Sequence, residues 1–322
     1  LGFGGMAAIL RLTGPDPQPT TAGPTDPEVA AAAAPGLAEV EALLDAQDPR
    51  GPERLDSYLI AHPDDPDAWR LQGEVLTERR GDLAAGVQAF KKSLELGPTL
   101  KAYVGLGVSL TKLGRMTEAQ EPLDQAVRLD PQSGYALTAQ AFLLHEQGMF
   151  EGALAAIERA IDLEPERAGS HDLKGRVLQA LGDVPGAEAA YRRSLALEPS
   201  APTYTNLAAV LCKAERFDEA RRATAQAVEL EPQSPRTHDA AGMVEYYAGR
   251  FEQAIVHFDD ALALDPTEVP TLINRGFTHK RLGHAAAARA DLEAVLAHAP
   301  EGDPARDTAR KGLQGLGVAA AR

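Results

Sequence analysis

Seven prolines, Pro98, Pro131, Pro165, Pro199, Pro232, Pro266 and Pro300, recur at intervals of 33 or 34 residues, and Pro63 precedes them by 35. A period that strict dictates one small unit repeated and stacked on its neighbours, with no single central core. Other positions keep the same register. Glycines fall at Gly81, Gly114, Gly148, Gly182, Gly249 and Gly283, with Glu215 in that slot once. Five residues later stands a small residue: Gly86, Ala119, Ala153, Ala187, Ala220, Ala254 and Ala288. Four further on is a larger one, Phe90, Leu123, Ile157, Tyr191, Phe258 and Leu292, with Thr224 the exception. Ahead of each turn sits another small residue: Gly73, Gly107, Ala141, Gly175, Ala208, Gly242 and Gly276.

This pattern predicts two antiparallel helices per unit. A left-handed residue ends the first helix. Small residues mark where the helices cross, and the large one fills the gap between neighbours. The proline lies just past the second helix and cannot continue it. The fold class is therefore all-α, an α-solenoid of helix-turn-helix repeats with about sixteen or seventeen helices, in keeping with stacked repeats. No window alternates with period two between hairpin turns, so almost no sheet is expected. The first unit carries one extra residue, and the second and fifth are one short. Those two are expected to join their neighbours more tightly.

Trp69-x-x-x-Gly73, Leu106-Gly107, Ala153-x-x-x-Ile157, Ala254-x-x-x-Phe258 and the repeated Asp/Glu-Pro ends carry a resemblance. The chain resembles the tetratricopeptide repeat family over about residues 64 to 300, seven units. The resemblance implies a right-handed superhelix whose first helices line a concave groove, and a scaffold that binds a protein or peptide without catalysis. The groove face reads Arg70, Tyr135, Thr138, Phe142, His145, Asp172, Arg176, Asn206, Asp239, Met243, Tyr246, Tyr247, Asn274, Phe277, Lys280 and Arg281. From it Tyr135, Phe142, Arg176, Asn206, Met243, Tyr246, Tyr247, Asn274, Phe277, Lys280 and Arg281 are the candidate partner-binding residues, since interfaces favour aromatics, Met and Arg. The chain's only two asparagines, Asn206 and Asn274, share one slot. In peptide-binding members an Asn there grips the ligand main chain, because an amide both donates and accepts; the alternative is that Asn merely belongs to the common repeat pattern. One of Tyr246 and Tyr247 is expected to pack on the adjacent unit and the other to face the groove. The two-carboxylate clamp of chaperone adaptors is not expected, because the corresponding slots hold Val104, Val108, Ala139, Gly169 and Leu173.

The ends differ. Residues 1–12, mostly apolar and too short to span a bilayer, read as the remnant of a membrane anchor or signal segment; the alternative is that Met6 is the true start. Residues 13–35 are a Pro/Ala-rich linker, suited to holding a domain off a surface. Residues 36–63 read as a degenerate leading repeat. Residues 301–322 read as a capping helix and tail, with an interaction helix as the alternative.

Lysine and arginine number 32 against 47 acidic residues, a formal charge of −15. A phosphate backbone wants a basic stripe, so no nucleic acid is expected as partner. The acid serves solubility, or attraction to a basic partner. The lone Cys212 permits no intrachain disulfide and is expected to be a partly buried, inert thiol. There is no GxxxxGK[ST] loop, no HExxH and no CxxC. His279 and His284 are five apart across a turn, which is the wrong spacing for one helical face. No catalytic residue, cofactor or metal is expected. Two function classes stand. One is a scaffold that helps assemble a complex, an envelope complex if the chain is anchored outside the cytoplasm. The other is a regulatory or substrate-docking segment of an enzyme system, with a cytoplasmic location as the alternative. Oligomeric state and partner identity are not legible.

Overall fold

The computed structural model describes residues 36–317. The expected anchor remnant (1–12), linker (13–35) and final tail residues lie outside the described residues. Among the described residues there are seventeen α-helices and no strand. They fall into two compact units, one up to Pro165 and one from Glu166 onward.

The first unit holds α1 (Leu37–Asp45), α2 (Gly51–Ala61), α3 (Pro66–Glu74), a π-helical turn (Val75–Arg79), α4 (Leu83–Leu96), α5 (Leu100–Lys112), α6 (Met116–Leu129), α7 (Gly134–Glu146) and α8 (Phe150–Leu163). The second holds α9 (Ala168–Leu181), α10 (Val184–Leu197), α11 (Ala201–Lys213), α12 (Phe217–Leu230), α13 (Pro235–Tyr247), α14 (Phe251–Leu264), α15 (Val269–Arg281), α16 (Ala285–His298) and α17 (Pro304–Gly317). From α3 to α16 they pair as seven successive hairpins.

The three irregular spacings have separate structural outlets. The extra residue of the first hairpin is taken up by the π-helical turn, where the Arg80 amide donates to the Val75 carbonyl at 3.1 Å. A single π-turn inside an α-helix is the usual way to absorb one residue. The two short repeats lose a residue from the join instead. Residues 97–99 and 198–200 link their helices, against four residues at 130–133.

Each hairpin closes at a turn whose pivot is left-handed. Six pivots are glycines, with φ between 66° and 84°, and the seventh is Glu215 at φ 58°. A side chain in that region costs about 1–2 kcal/mol, so Glu215 is held there by the helices it joins.

The helices of a hairpin cross at contact distance. A methyl group added at Gly242 would stand 2.5 Å from Phe258 Cε1, and one at Gly175 equally close to Tyr191 Cε1. Gly73 meets Phe90 in the same way, and Gly107 meets Leu123. Phe90, Tyr191 and Phe258 are among the largest fully buried side chains. Alanine occupies the small slot only at Ala141 and Ala208, whose partners by register are Ile157 and Thr224. All three aromatic partners thus face a glycine, and glycine also serves opposite Leu123 and Leu292.

At the amino-terminal end, Val40, Leu55 and Tyr58 share a core with Ala68, Leu71 and Val75. Arg70, expected on the groove face, is instead buried. Its guanidinium meets Glu74 at 2.8 Å, Glu41 at 3.2 Å and Asp67 at 3.3 Å. Glu41 comes from α1, so the preceding hairpin is what covers it. At the other end, Ala309 and Leu316 of α17 are buried with Leu292, Val295 and Ala299. Arg306 donates to the carbonyls of Leu296 and Ala299 at 2.6 and 2.8 Å, supplying partners to acceptors that the end of α16 leaves open.

Gly242→Ala is expected to cost about 1–3 kcal/mol, the usual range for overpacking. Combining it with Phe258→Leu should recover part of that loss, so the double mutant falls short of the sum. Denaturant melts of the four proteins of this cycle measure it, and strict additivity would count against the close contact of the two residues.

Candidate partner-binding surface

The first helices of the carboxy-terminal unit carry most of the candidates: Arg176 on α9, Asn206 on α11, Met243, Tyr246 and Tyr247 on α13, and Asn274, Phe277, Lys280 and Arg281 on α15. Tyr135 and Phe142 lie on α7 of the other unit, where Tyr135 packs against the core that includes Ala136, Ala139 and Leu143.

Both asparagines turn out to have a protein partner. The Asn274 amide donates to Asp239 Oδ1 at 2.9 Å and to Oδ2 at 3.3 Å. The Asn206 amide reaches Asp172 Oδ1 at 3.5 Å, and the Thr203 hydroxyl donates to the same oxygen at 2.9 Å. In each case a carboxylate on one first helix is bridged to an amide on the next. Asp172 and Asp239 were expected on this face but not as partners of the asparagines. A signal was present: each Asp precedes its Asn by one repeat and a residue at most, 34 and 35 positions. Each asparagine keeps its amide oxygen for other use. Burial pushes both carboxyls above their ordinary value, and the hydrogen bonds they accept oppose that rise.

The two tyrosines differ in exposure, and the ring partner of Tyr246 is in its own hairpin, not the adjacent unit. Tyr246 is half-buried and meets Phe251 edge-on, with centroids 5.4 Å apart. Tyr247 is 39% exposed and stands edge-on to Tyr246 at 5.8 Å. The Arg281 guanidinium lies 5.4 Å from the centre of the Phe251 ring. Tyr246, Tyr247, Phe251 and Arg281 thus form one aromatic–cationic cluster contributed by α13, α14 and α15. Phe251 is not legible as a candidate because it opens a second helix, whereas the groove expectation rests on first helices.

Phe277 and Lys280 face the terminal helix. Phe277 packs against the cluster that includes Ala309 and Leu316. Lys280 Nζ donates to the Gly312 carbonyl at 3.3 Å and stands 5.9 Å from the Phe277 ring centre. Both side chains are thus engaged by α17.

Cys212 is buried at 8% exposure, and burial together with Glu245 pushes its thiol up to about 11. A thiol so high is protonated at neutral pH and a poor nucleophile. His279 and His284, set aside on spacing, do meet, because the turn at Gly283 folds one ring toward the other. No described helix is long and apolar enough to cross a membrane.

Asp239 sets a pH dependence. Its folded carboxyl holds a proton to higher pH than the ordinary value of 3.8. Between those two values the folded chain binds the extra proton, so stability falls as pH rises through that window. Asp239→Asn cannot ionise and still offers an amide oxygen to Asn274. It is expected to raise the melting temperature at neutral pH, with the gain shrinking near pH 4. A gain that is absent at neutral pH, or unchanged on acidification, would count against a strained carboxylate.

Among curated proteins, none matches the chain in sequence. Solved structures do match in fold. A chain of the hetero-tetramer Cut9–Hcn1 of the APC/C is 18% identical with a TM-score of 0.65, over 86% of this chain and 55% of that one. This protein therefore spans about half the length of that relative. A tetratricopeptide repeat protein from Parabacteroides merdae is 15% identical with a TM-score of 0.59, over 77% of this chain and 98% of that one. PilW, described as a widely conserved type IV pilus biogenesis factor, is 17% identical with a TM-score of 0.58, over 67% and 97%. The tetratricopeptide repeat model matches at residues 37–101, 80–134, 104–172, 138–202, 173–235 and 205–269. The chain belongs to the tetratricopeptide repeat family and is a helical-repeat protein.

Proposed function

We propose that the chain is a non-catalytic scaffold that binds an extended peptide or a helix on the first-helix face of its carboxy-terminal unit. The observation that carries the reading is the cluster of Tyr246, Tyr247, Phe251 and Arg281. Exposed tyrosine and arginine beside half-buried aromatics is the composition of an interface centre. Asn206 and Asn274 stand along the same first-helix row, their amide nitrogens turned to Asp172 and Asp239. Their amide oxygens suit the N–H groups of a ligand main chain. Met243 and Arg176 extend the face, and Arg281 suits an acidic side chain or a carboxylate.

The finer reading is a partner drawn from an envelope assembly. The likeness to PilW supports it only as a fold, and the rest of the argument is the linker composition before residue 36. Tyr135 and Phe142 remain candidates for a partner contact of the amino-terminal unit by itself.

The partner is first identified by pull-down from the native organism with mass spectrometry. Its affinity is then measured for Tyr247→Ala, Arg281→Glu and Asn274→Ala, with circular dichroism as the check of folding. A hot-spot aromatic costs about 2 kcal/mol or more, so Tyr247→Ala should weaken binding roughly thirtyfold. Arg281→Glu should weaken binding to a ligand bearing an acidic group. Unchanged affinity in all three folded variants would place the binding surface elsewhere.

A further inference from the structure

Every first helix from α5 to α15 ends in the same backbone closure. The amide just after the pivot donates to the carbonyl five residues before it: Arg115 to Leu110, Met149 to Leu144, Asp183 to Leu178, Arg216 to Leu211, Arg250 to Glu245 and His284 to His279, all at 2.8–2.9 Å. This ring is part of the hydrogen-bonded end of a helix with a left-handed pivot. It holds the two residues it joins close together. In the first four of these turns the earlier residue is leucine. In the fifth the pair is Glu245 and Arg250, whose side chains also meet, Nε to Oε2 at 2.8 Å. In the sixth both partners are histidine.

His279 Nδ1 and His284 Nδ1 stand 3.3 Å apart, with ring centroids 5.6 Å apart and planes at 46°. Two imidazole nitrogens, each about 2.0–2.1 Å from a tetrahedral zinc, stand about 3.3–3.4 Å apart. We infer that His279 and His284 form a two-histidine site for a divalent transition metal such as Zn²⁺ or Ni²⁺, bound through both Nδ1 atoms.

The backbone closure makes the pair a ready chelate, because the helix end is already fixed before a metal arrives. Imidazole suits Zn²⁺, Ni²⁺ and Cu²⁺ and leaves Mg²⁺ and Ca²⁺ to oxygen ligands. Asp291 and Asp259 are held by Arg275 at 2.6 Å each. They act on His279 through their charge. Among the described residues no group of three or more His, Cys, Asp or Glu side chains is suited to a metal. The chain thus supplies two ligands, and the other positions go to water or to a donor on a bound partner. His284 is exposed, so a cation reaches the pair from solvent.

The test uses the full chain without an affinity tag. ZnCl₂, NiCl₂ and MgCl₂ are each titrated to about 100 µM free metal by calorimetry, with imidazole nitrogens followed by NMR. Expected are one Zn²⁺ and one Ni²⁺ per chain, no Mg²⁺, and shifts confined to His279 and His284 among the eight histidines. His279→Ala and His284→Ala should each weaken binding at least about tenfold, since each removes half of a two-ligand set. His298→Ala, on the same hairpin, should change nothing. No binding at about 100 µM would leave the pair a histidine–histidine hydrogen bond and overturn the inference. Binding that survives either single substitution would overturn it too, as would shifts at other histidines. His284 is exposed, so His284→Ala tests the site without disturbing the core.

Discussion

The architecture depends on the crossing of first and second helices, where a missing or minimal side chain on one lets a ring of the other lie against its backbone. Protein interiors are packed to near-crystalline density, so such a contact tolerates little change in volume. Each aromatic partner, Phe90, Tyr191 and Phe258, lies over a glycine; the leucines Leu123 and Leu292 do too, and alanine stands opposite Ile157 and Thr224. Once that contact is fixed, so is the rotation of the first helix about its axis. One side of α11 is committed to the crossing at Ala208. Its remaining side presents Asn206 toward Asp172 of the preceding first helix. The row of carboxylate–amide bridges is in this sense a consequence of the apolar crossing.

The repeat also shows where polarity enters, and how it is tolerated. Polar groups taken out of water need partners. Glu245 takes a slot that leucine fills at Leu110, Leu144, Leu178 and Leu211, and it is buried at 7% exposure. Arg250 meets it at 2.8 Å, and Arg221 stands 3.8 Å away. Arg70 is buried under three carboxylates, and Asp291 is clasped by Arg275. Removing one partner of such a pair strands the other, so these pairs fix arrangement more surely than they add stability.

How much of this was legible in the sequence follows from the kind of interaction. Hairpins and their order were legible, because Pro131, Gly148, Ala153 and their counterparts act locally and recur in phase. The place of the extra residue was not. A count between Pro63 and Pro98 shows an insertion, but only hydrogen bonding shows that Val75–Arg79 absorbs it as a π-turn. Asn206 and Asn274 were visible as a pair of slots, yet their partners sit one repeat away, and a reading within a repeat does not see them. Phe277 and Lys280 were read as groove residues because α17 was treated as a lid on the apolar end alone; it also lies along α15. His279 and His284 were dismissed on helical periodicity, a rule that does not apply across a left-handed pivot.

Charge decides what kind of recognition this surface can perform. The chain is strongly acidic overall, and much of its arginine is already paired. Arg192 and Arg216 share Glu188 and Glu219, and Arg275 bridges Asp259 and Asp291. Arg281 lies over the Phe251 ring, an interaction that leaves a cation's charge in place. An acidic ligand therefore meets repulsion from the chain as a whole and attraction only within the last few ångströms of Arg281. Salt screens the first, which acts over more than a Debye length of about 8–10 Å, more than the second. Long-range steering thus works against such a ligand, and under the proposed function its affinity rests on contact with Tyr246 and Tyr247 and on hydrogen bonds to the asparagine row.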